Sequence, residues 1–173
     1  MPTCLVFGCA NFYGRALTQL LCNERQGGLG WEIRGVDKVL PQLASFPAPV
    51  LGLYSTIDYR MGNLRCADFL AQAFVRDDGK GWDYVFNFAA ELKFGQSDHV
   101  YDQDVRQVSA NIAQLASKHA VGVLVQLSTA LVFSSSSNTA ATEESAVGGA
   151  TVLARCHADA EASALQAGVA AVV

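Results

Sequence analysis

Two rhythms of apolar residues alternate along this chain: short continuous runs, and longer stretches in which apolar positions return every three or four residues. The first rhythm is that of a buried strand and the second that of an amphipathic helix. Residues 3–7, TCLVF, form an apolar run that stops at a glycine turn, and the following segment sets Leu17, Leu20 and Leu21 on one helical face. Strand, tight turn and helix are therefore predicted at the start. Residues 32–36, EIRGV, read as a second strand ending in Asp37, reached through the connection QGGLG at 26–30. The stretch 41–49 holds three of the four prolines and reads as loop. Residues 51–61 are expected to form a third strand, although polar residues interrupt it, and 67–75 a short helix. A strong buried strand is predicted at 83–88. Beyond it, Tyr101, Val105, Val108, Ile112 and Leu115 recur at helical spacing within 99–119. A fifth strand is predicted at 121–127 and a last helix at 152–165, while 169–173 opens a sixth strand. The tract SSSSNTAATEESAVGGA at 134–150 has small polar residues and no period, and is expected to be a mobile loop.

Strands alternating with helices at this spacing imply right-handed crossovers and a parallel sheet covered on both faces, the doubly wound α/β class. In such folds ligands bind beyond the carboxyl ends of the strands. A chain of 173 residues is one domain's worth of sequence, and it carries neither an internal repeat nor a linker.

Composition narrows the function. The chain is 51% hydrophobic and 16% charged, with formal net charge −4 and pI near 5.2. An acidic chain without clustered Lys and Arg is a poor partner for nucleic acid or an anionic membrane surface. Apolar runs such as VGVLVQL at 121–127 are too short for a transmembrane segment. Strand-like sequence begins almost at Met1 with no basic or amphipathic leader, so the expected location is cytoplasmic, with import into an organelle such as the mitochondrion as the alternative. The five cysteines, Cys4, Cys9, Cys22, Cys66 and Cys156, include no C-x-x-C pair and no His at ligand spacing. They read as small buried residues of a reducing compartment, and no metal site is expected.

The candidate chemistry starts at VFGCANFYG, residues 6–14. Gly8, Asn11 and Gly14 stand at the spacing of a Gly-x-x-Gly-x-x-Gly phosphate loop between the first strand and the first helix, with Asn in the middle place. There the first-turn amides of Phe12, Tyr13 and Gly14 and the helix dipole face an anion. Asn tolerates positive φ, which would preserve the turn, but its side chain stands where backbone approaches a pyrophosphate, so lowered affinity is expected. The competing reading is a glycine turn that merely packs helix on strand. Asp37, ending the second strand, can accept ribose hydroxyls and repel a 2′-phosphate, which favours NAD over NADP. Its alternative is a solvated turn residue, and Lys38 beside it softens the charge argument.

These residues carry a resemblance. CLVFGCANFYGRALTQLL followed by EIRGVDK is similar to the opening of extended short-chain dehydrogenases/reductases, the NAD-dependent epimerases, dehydratases and 3β-hydroxysteroid dehydrogenases with a Rossmann fold, most like the steroid dehydrogenase branch. Met61-Gly62-Asn63-Leu64 resembles the family's adenine-contacting turn, with Asn63 where Asp is usual. NFAA at 87–90, including Phe88, Ala89 and Ala90, is similar to the strand-four motif that lines the cofactor, and KFGQS after it resembles epimerase sequences. Asp104-Val105 falls where the family has Asn-Val. In LSTALVF at 127–133, Thr129 corresponds to the catalytic Ser/Thr.

The resemblance implies a Tyr-x-x-x-Lys pair on the helix after the polar tract, and here the matching segment is LARCHADAE. Leu153 stands at the Tyr position, His157 at the Lys position, and Glu161 matches a common family Glu. The Tyr would donate or accept the proton and the Lys would lower its pKa; leucine does neither. His157 can bond a ribose hydroxyl or act as base with Thr129 as anchor, or it is only a packed or solvated helix residue. Family members also continue beyond the sixth strand into a substrate domain, so residues 1–173 are expected to be the dinucleotide-binding domain alone. The joint departures at Asn11, Asn63, Asp104, Leu153 and His157 imply a dinucleotide-binding pseudoenzyme serving as an accessory subunit, for which respiratory complex I gives a family precedent. The alternatives are an active oxidoreductase or epimerase with an altered site and a redox-responsive binding module. A protein partner or oligomer contact is expected near the sixth strand, whose edge and apolar surface call for cover.

Overall fold

Successive side chains leave a strand on opposite sides, and β1 (Thr3–Phe7), buried along its whole length, uses this to seed two layers. Leu5 and Phe7 enter one apolar cluster; Cys4 and Val6 enter another on the opposite face. The computed structural model describes residues 1–26, 30–133, 141–142 and 144–173. Parts of the QGGLG connection and of the tract expected as a mobile loop at 134–150 lie outside the described residues.

Around β1 the described strands β2 (Glu32–Asp37), β3 (Asp58–Met61), β4 (Tyr84–Asn87), β5 (Val123–Gln126) and β6 (Ala170–Val172) form one six-stranded sheet. Its order is β3-β2-β1-β4-β5-β6, and every pairing is parallel. This is the doubly wound Rossmann arrangement expected from the alternation. The order reverses between β1 and β4, where a ligand crevice opens at the carboxyl ends.

Helix α1 (Phe12–Gln26) and α2 (Ala48–Tyr54) cover one face, with Leu21, Cys22, Val50 and Tyr54 packed on Cys4 and Val6. On the other face lie α3 (Ala67–Phe74) and α5 (Val108–Lys118), whose Leu70, Phe74 and Ile112 meet Leu5, Phe7, Val85 and Leu124. A short α4 (Asp98–Tyr101) runs into α5 through a six-residue π-helical stretch, Asp102–Gln107. α6 (Val152–Leu165) begins at Thr151, whose side chain accepts from the Ala154 amide at 3.1 Å, satisfying a first-turn donor.

Four expectations are corrected. The third strand expected over 51–61 is split: residues through Tyr54 belong to α2, and only Asp58–Met61 is strand. Leu51, Leu53 and Ile57 all pack against the α1-side cluster, so burial against the sheet face turns an ambiguous apolar run into helix. The proline stretch 41–49 is not wholly loop; it holds a 3₁₀ turn at Pro41–Leu43 and the start of α2, where Pro47 and Pro49 suit the first turn. Leu20, expected on the buried face with Leu17 and Leu21, is 55% exposed. The helix expected from 99 begins at Asp98 and carries the π stretch, which no spacing rule forecasts.

Candidate functional site

The loop after β1 must pass close to the chain leaving β4, and glycine at two positions makes this possible. Gly8 has φ +71°, and a Cβ on it would sit 2.8 Å from the Ala89 nitrogen and from the Phe88 carbonyl carbon. A Cβ on Gly14 would lie 2.2 Å from the Gly8 oxygen. Both are backbone contacts that cannot yield, so the pair fixes loop and helix against the strand ends.

Asn11 preserves the turn by a route other than the expected one. Its φ is not positive; among the described non-glycine residues only Ser45 and Ala120 have positive φ. Instead its side-chain oxygen accepts from the Gly14 amide at 2.9 Å and its Nδ2 donates to the Phe88 carbonyl at 2.6 Å. The first bond is an N-cap, which satisfies one of the orphan donors at the start of α1.

Asp37 is half-buried at the end of β2, and its two carboxylate oxygens accept from the Ala10 amide at 2.9 Å and the Val39 amide at 3.1 Å. It is thus neither a free solvated turn residue nor an uncommitted acceptor: it braces the loop and holds a fixed negative charge there. Each oxygen keeps a further lone pair for an incoming hydroxyl.

Gly8, Asn11 and Asp37 line an open cleft together with Asn63, Leu64, Ala89 and Ala90. Seven of the thirteen expected site residues therefore converge on one place. Phe12 and Tyr13 stand outside its lining at the start of α1, 69% and 47% exposed, their rings edge to face at 5.3 Å. Gly14 is buried under the loop, and Phe88 packs beside Phe86 on the α1 side of the sheet.

The cleft also holds residues that the sequence reading did not assign to it as lining: Lys38, Gly62, Arg65, Glu91, Asp104 and Val108. Arg65 and Asp104 form an ion pair between the turn after β3 and the π stretch, and the Asp104 carboxylate holds the Arg65 guanidinium's pKa up. The Asn63 side chain accepts from the Arg65 amide at 3.0 Å, which orients that turn. Beneath the cleft, buried Asn87 donates to Gln126 Oε1 at 2.8 Å and to Ser109 Oγ at 3.1 Å, and its own oxygen accepts from the Ala89 amide at 3.1 Å. Asparagine and glutamine facing each other at the ends of two strands were the available signal for this network.

The residues matched to catalysis lie elsewhere. Thr129 is half-buried, and its hydroxyl accepts from the Leu131 amide at 3.3 Å to start a 3₁₀ turn. The neighbouring Ser128 donates to Glu161 on α6. Leu153 is buried in a cluster with Tyr101, Val105 and Cys156, against which Ala90 and Val152 pack. His157 is 1% exposed, and its Nδ1 finds no hydrogen-bond partner among the described residues. Burial alone lowers its pKa, keeping the ring neutral. Neither Leu153 nor His157 borders the cleft.

Among the described residues no helix is long and apolar enough to cross a membrane. The fold has many counterparts among solved structures. WbmG of Bordetella bronchiseptica, solved in complex with NAD and UDP, is 24% identical, with TM-score 0.77 over 97% of this chain and 50% of that one. WbmH of the same organism, in complex with NAD+, is 18% identical, with TM-score 0.80 over 99% of this chain and 54% of that one. The UDP-Glc/GlcNAc 4-epimerase of Campylobacter jejuni is 18% identical, with TM-score 0.79 over 96% and 49%. The chain thus spans about half the length of the solved proteins it matches. None of the curated proteins compared with it matches. The family model that describes NAD dependent epimerases and dehydratases matches residues 4–161, and by that match the chain belongs to the NAD dependent epimerase/dehydratase family.

Proposed function

We propose that residues 1–173 act as an NAD(H)-binding domain whose family chemistry has been lost, serving as an accessory subunit of a larger assembly. The observation that carries this reading is the contrast between a kept cleft and a filled catalytic position. Gly8 and Gly14 let the loop and α1 close on the strand ends where a Cβ would strike main chain, and the cleft is lined by Gly8, Asn11 and Asp37. The residues present therefore fit a dinucleotide.

Beside the cleft's lining, the amides of Phe12 and Tyr13 at the α1 start would face the pyrophosphate. Asp37 would accept ribose hydroxyls and disfavour a 2′-phosphate, while Asn63, Leu64, Ala89 and Ala90 would line the bound molecule. Solved members of this fold that carry NAD or NAD+ support the choice of cofactor. When bound, NAD(H) supplies hydride transfer, and the family's version of that step needs a proton acceptor at the substrate oxygen.

Leu153 has no titratable group, and it sits in an apolar cluster. His157 is buried and neutral, and an unactivated Thr129 hydroxyl is a hydrogen-bond partner rather than a base at neutral pH.

The test combines calorimetric titration with NADH and NADPH with activity assays over nucleotide sugars and hydroxysteroids, using the full natural polypeptide. NADH binding in preference to NADPH, without turnover, is the expected result. Failure to bind either at millimolar concentration removes the dinucleotide part of the reading. Turnover at ordinary enzyme rates, abolished in His157→Ala, overturns the pseudoenzyme part and assigns the base to His157. Sedimentation as a lone monomer that exposes no apolar surface to a dye removes the accessory-subunit part.

A further inference from the structure

We infer that Asn11 is a positioning residue that holds the two walls of the crevice together, so that dinucleotide affinity depends on it rather than being lowered by it. This inference rests on the reading of the cleft as a dinucleotide site. Every polar atom of Asn11 is engaged. Its amide donates to the Gly8 oxygen at 3.1 Å and its carbonyl accepts from the Arg15 amide at 2.9 Å. Its side-chain oxygen accepts from the Gly14 amide at 2.9 Å, and its Nδ2 donates to the Phe88 carbonyl at 2.6 Å.

The last bond matters most, because Phe88 is the first residue beyond β4 while Asn11 ends the turn beyond β1. β1 and β4 are the neighbouring strands between which the sheet order reverses. The Asn11 side chain therefore spans the opening where a ligand of this fold sits. It also packs sideways rather than outward: a Cβ on Gly8 would meet Asn11 Nδ2 at 2.9 Å. Both polar ends of the side chain are turned to main-chain partners, although Asn11 borders the cleft.

A glycine at position 11 would have neither bond. The Phe88 carbonyl would lose this donor and the Gly14 amide its cap, and the loop would gain backbone freedom that binding must then remove. The asparagine instead pre-forms the loop before any ligand arrives. With Gly14 capped, the Phe12 and Tyr13 amides are the first-turn donors left for an anion.

Two variants separate the bonds. Asn11→Ser keeps a good N-cap but is too short to reach the Phe88 carbonyl; Asn11→Gly removes both. NADH affinity is measured by calorimetry, and hydrogen–deuterium exchange of the ligand-free proteins is followed over residues 8–15 and 88–91. The expected result for Asn11→Ser is a Kd raised about tenfold, the effect of one lost hydrogen bond at the upper end of its usual range. Exchange should quicken over 88–91 while β2 and β5 keep the rate of the unmodified protein. Asn11→Gly should weaken binding further and also loosen 8–15. NADH binding by Asn11→Gly as tight as that of the unmodified chain overturns the inference, as does unchanged exchange at 88–91 in Asn11→Ser. If the unmodified chain takes up no NADH yet exchange still quickens in Asn11→Ser, the dinucleotide reading and the claim on affinity both fall, while the bridge between the walls stands.

Discussion

The crevice between β1 and β4 and the cluster beneath α6 are two regions to which the family resemblance assigns work, and they are built on opposite principles. In the crevice, polar groups are paired and main chain lies open: Asn11, Asp37 and Asn87 each tie one strand end to a neighbouring segment. Under α6, Leu153, Cys156, Tyr101 and Val105 form a buried apolar cluster, and the buried His157 has an Nδ1 without a hydrogen-bond partner among the described residues. The difference teaches that strand ends at the sheet's reversal point are held by polar pairing, while the face of α6 that carries Leu153 and His157 is held by burial. Hydrogen bonds at strand ends are set by the fold itself, whereas a catalytic side chain on a helix face can be exchanged for an apolar one with a gain in packing.

The sharpest way to break that contrast is His157→Lys, which puts a cation at a buried position on α6. His157 is 1% exposed and its Nδ1 has no partner among the described residues; an ammonium left buried and unpaired there would cost about 3–5 kcal/mol. Urea denaturation should show that loss. A variant as stable as the original would mean that the α6 cluster opens to water far more readily than its packing implies.

Gly14→Ala probes the other region. Its Cβ would meet the Gly8 oxygen at 2.2 Å and the Cys9 Cα at 2.7 Å, so an overpacking cost of about 2–3 kcal/mol is expected, together with loss of NADH binding. Thermal melts and titration report the two effects separately. Unchanged stability would show that the loop is looser than the cleft's hydrogen bonds require.

A pH series sharpens the comparison further. Burial holds His157 below the ordinary histidine value of 6.5, so the unfolded chain binds this proton more readily than the folded one. Stability is therefore full above pH 6.5 and drains as the pH falls below it, with a slope approaching about 1.4 kcal/mol per pH unit for one proton. His119, lowered by burial and by Lys118, acts in the same direction. His157→Gln should flatten the acid limb by the larger share, and His119→Gln by the smaller; a profile untouched by His157→Gln would contradict the sealed environment under α6.

The smallest effect is expected at the cleft mouth. Arg65 and Asp104 have side chains 37% and 21% exposed, and exposed ion pairs contribute only about 0.2–1 kcal/mol. Arg65→Ala should lower the melting temperature slightly at low salt and not at high salt. A large, salt-independent loss would make this pair part of the crevice's fixed frame.

Local pattern was enough for the class of fold, because alternating runs and helical periods each reflect burial on one face of one element. β1, β2 and the span of α6 were legible residue by residue, and so were Gly8, Gly14 and Asp37 as neighbours in space once strand, turn and helix were placed. Tertiary structure decided what spacing cannot carry. It made Leu51 and Leu53 helical by packing them on the α1-side cluster, and it set Arg65 against Asp104 across 39 residues of chain. It also gave Asn11 a partner 77 residues away in Phe88. An asparagine's hydrogen bonds depend on which main-chain groups the sheet order brings within 3 Å of it, and no one-dimensional pattern holds that distance.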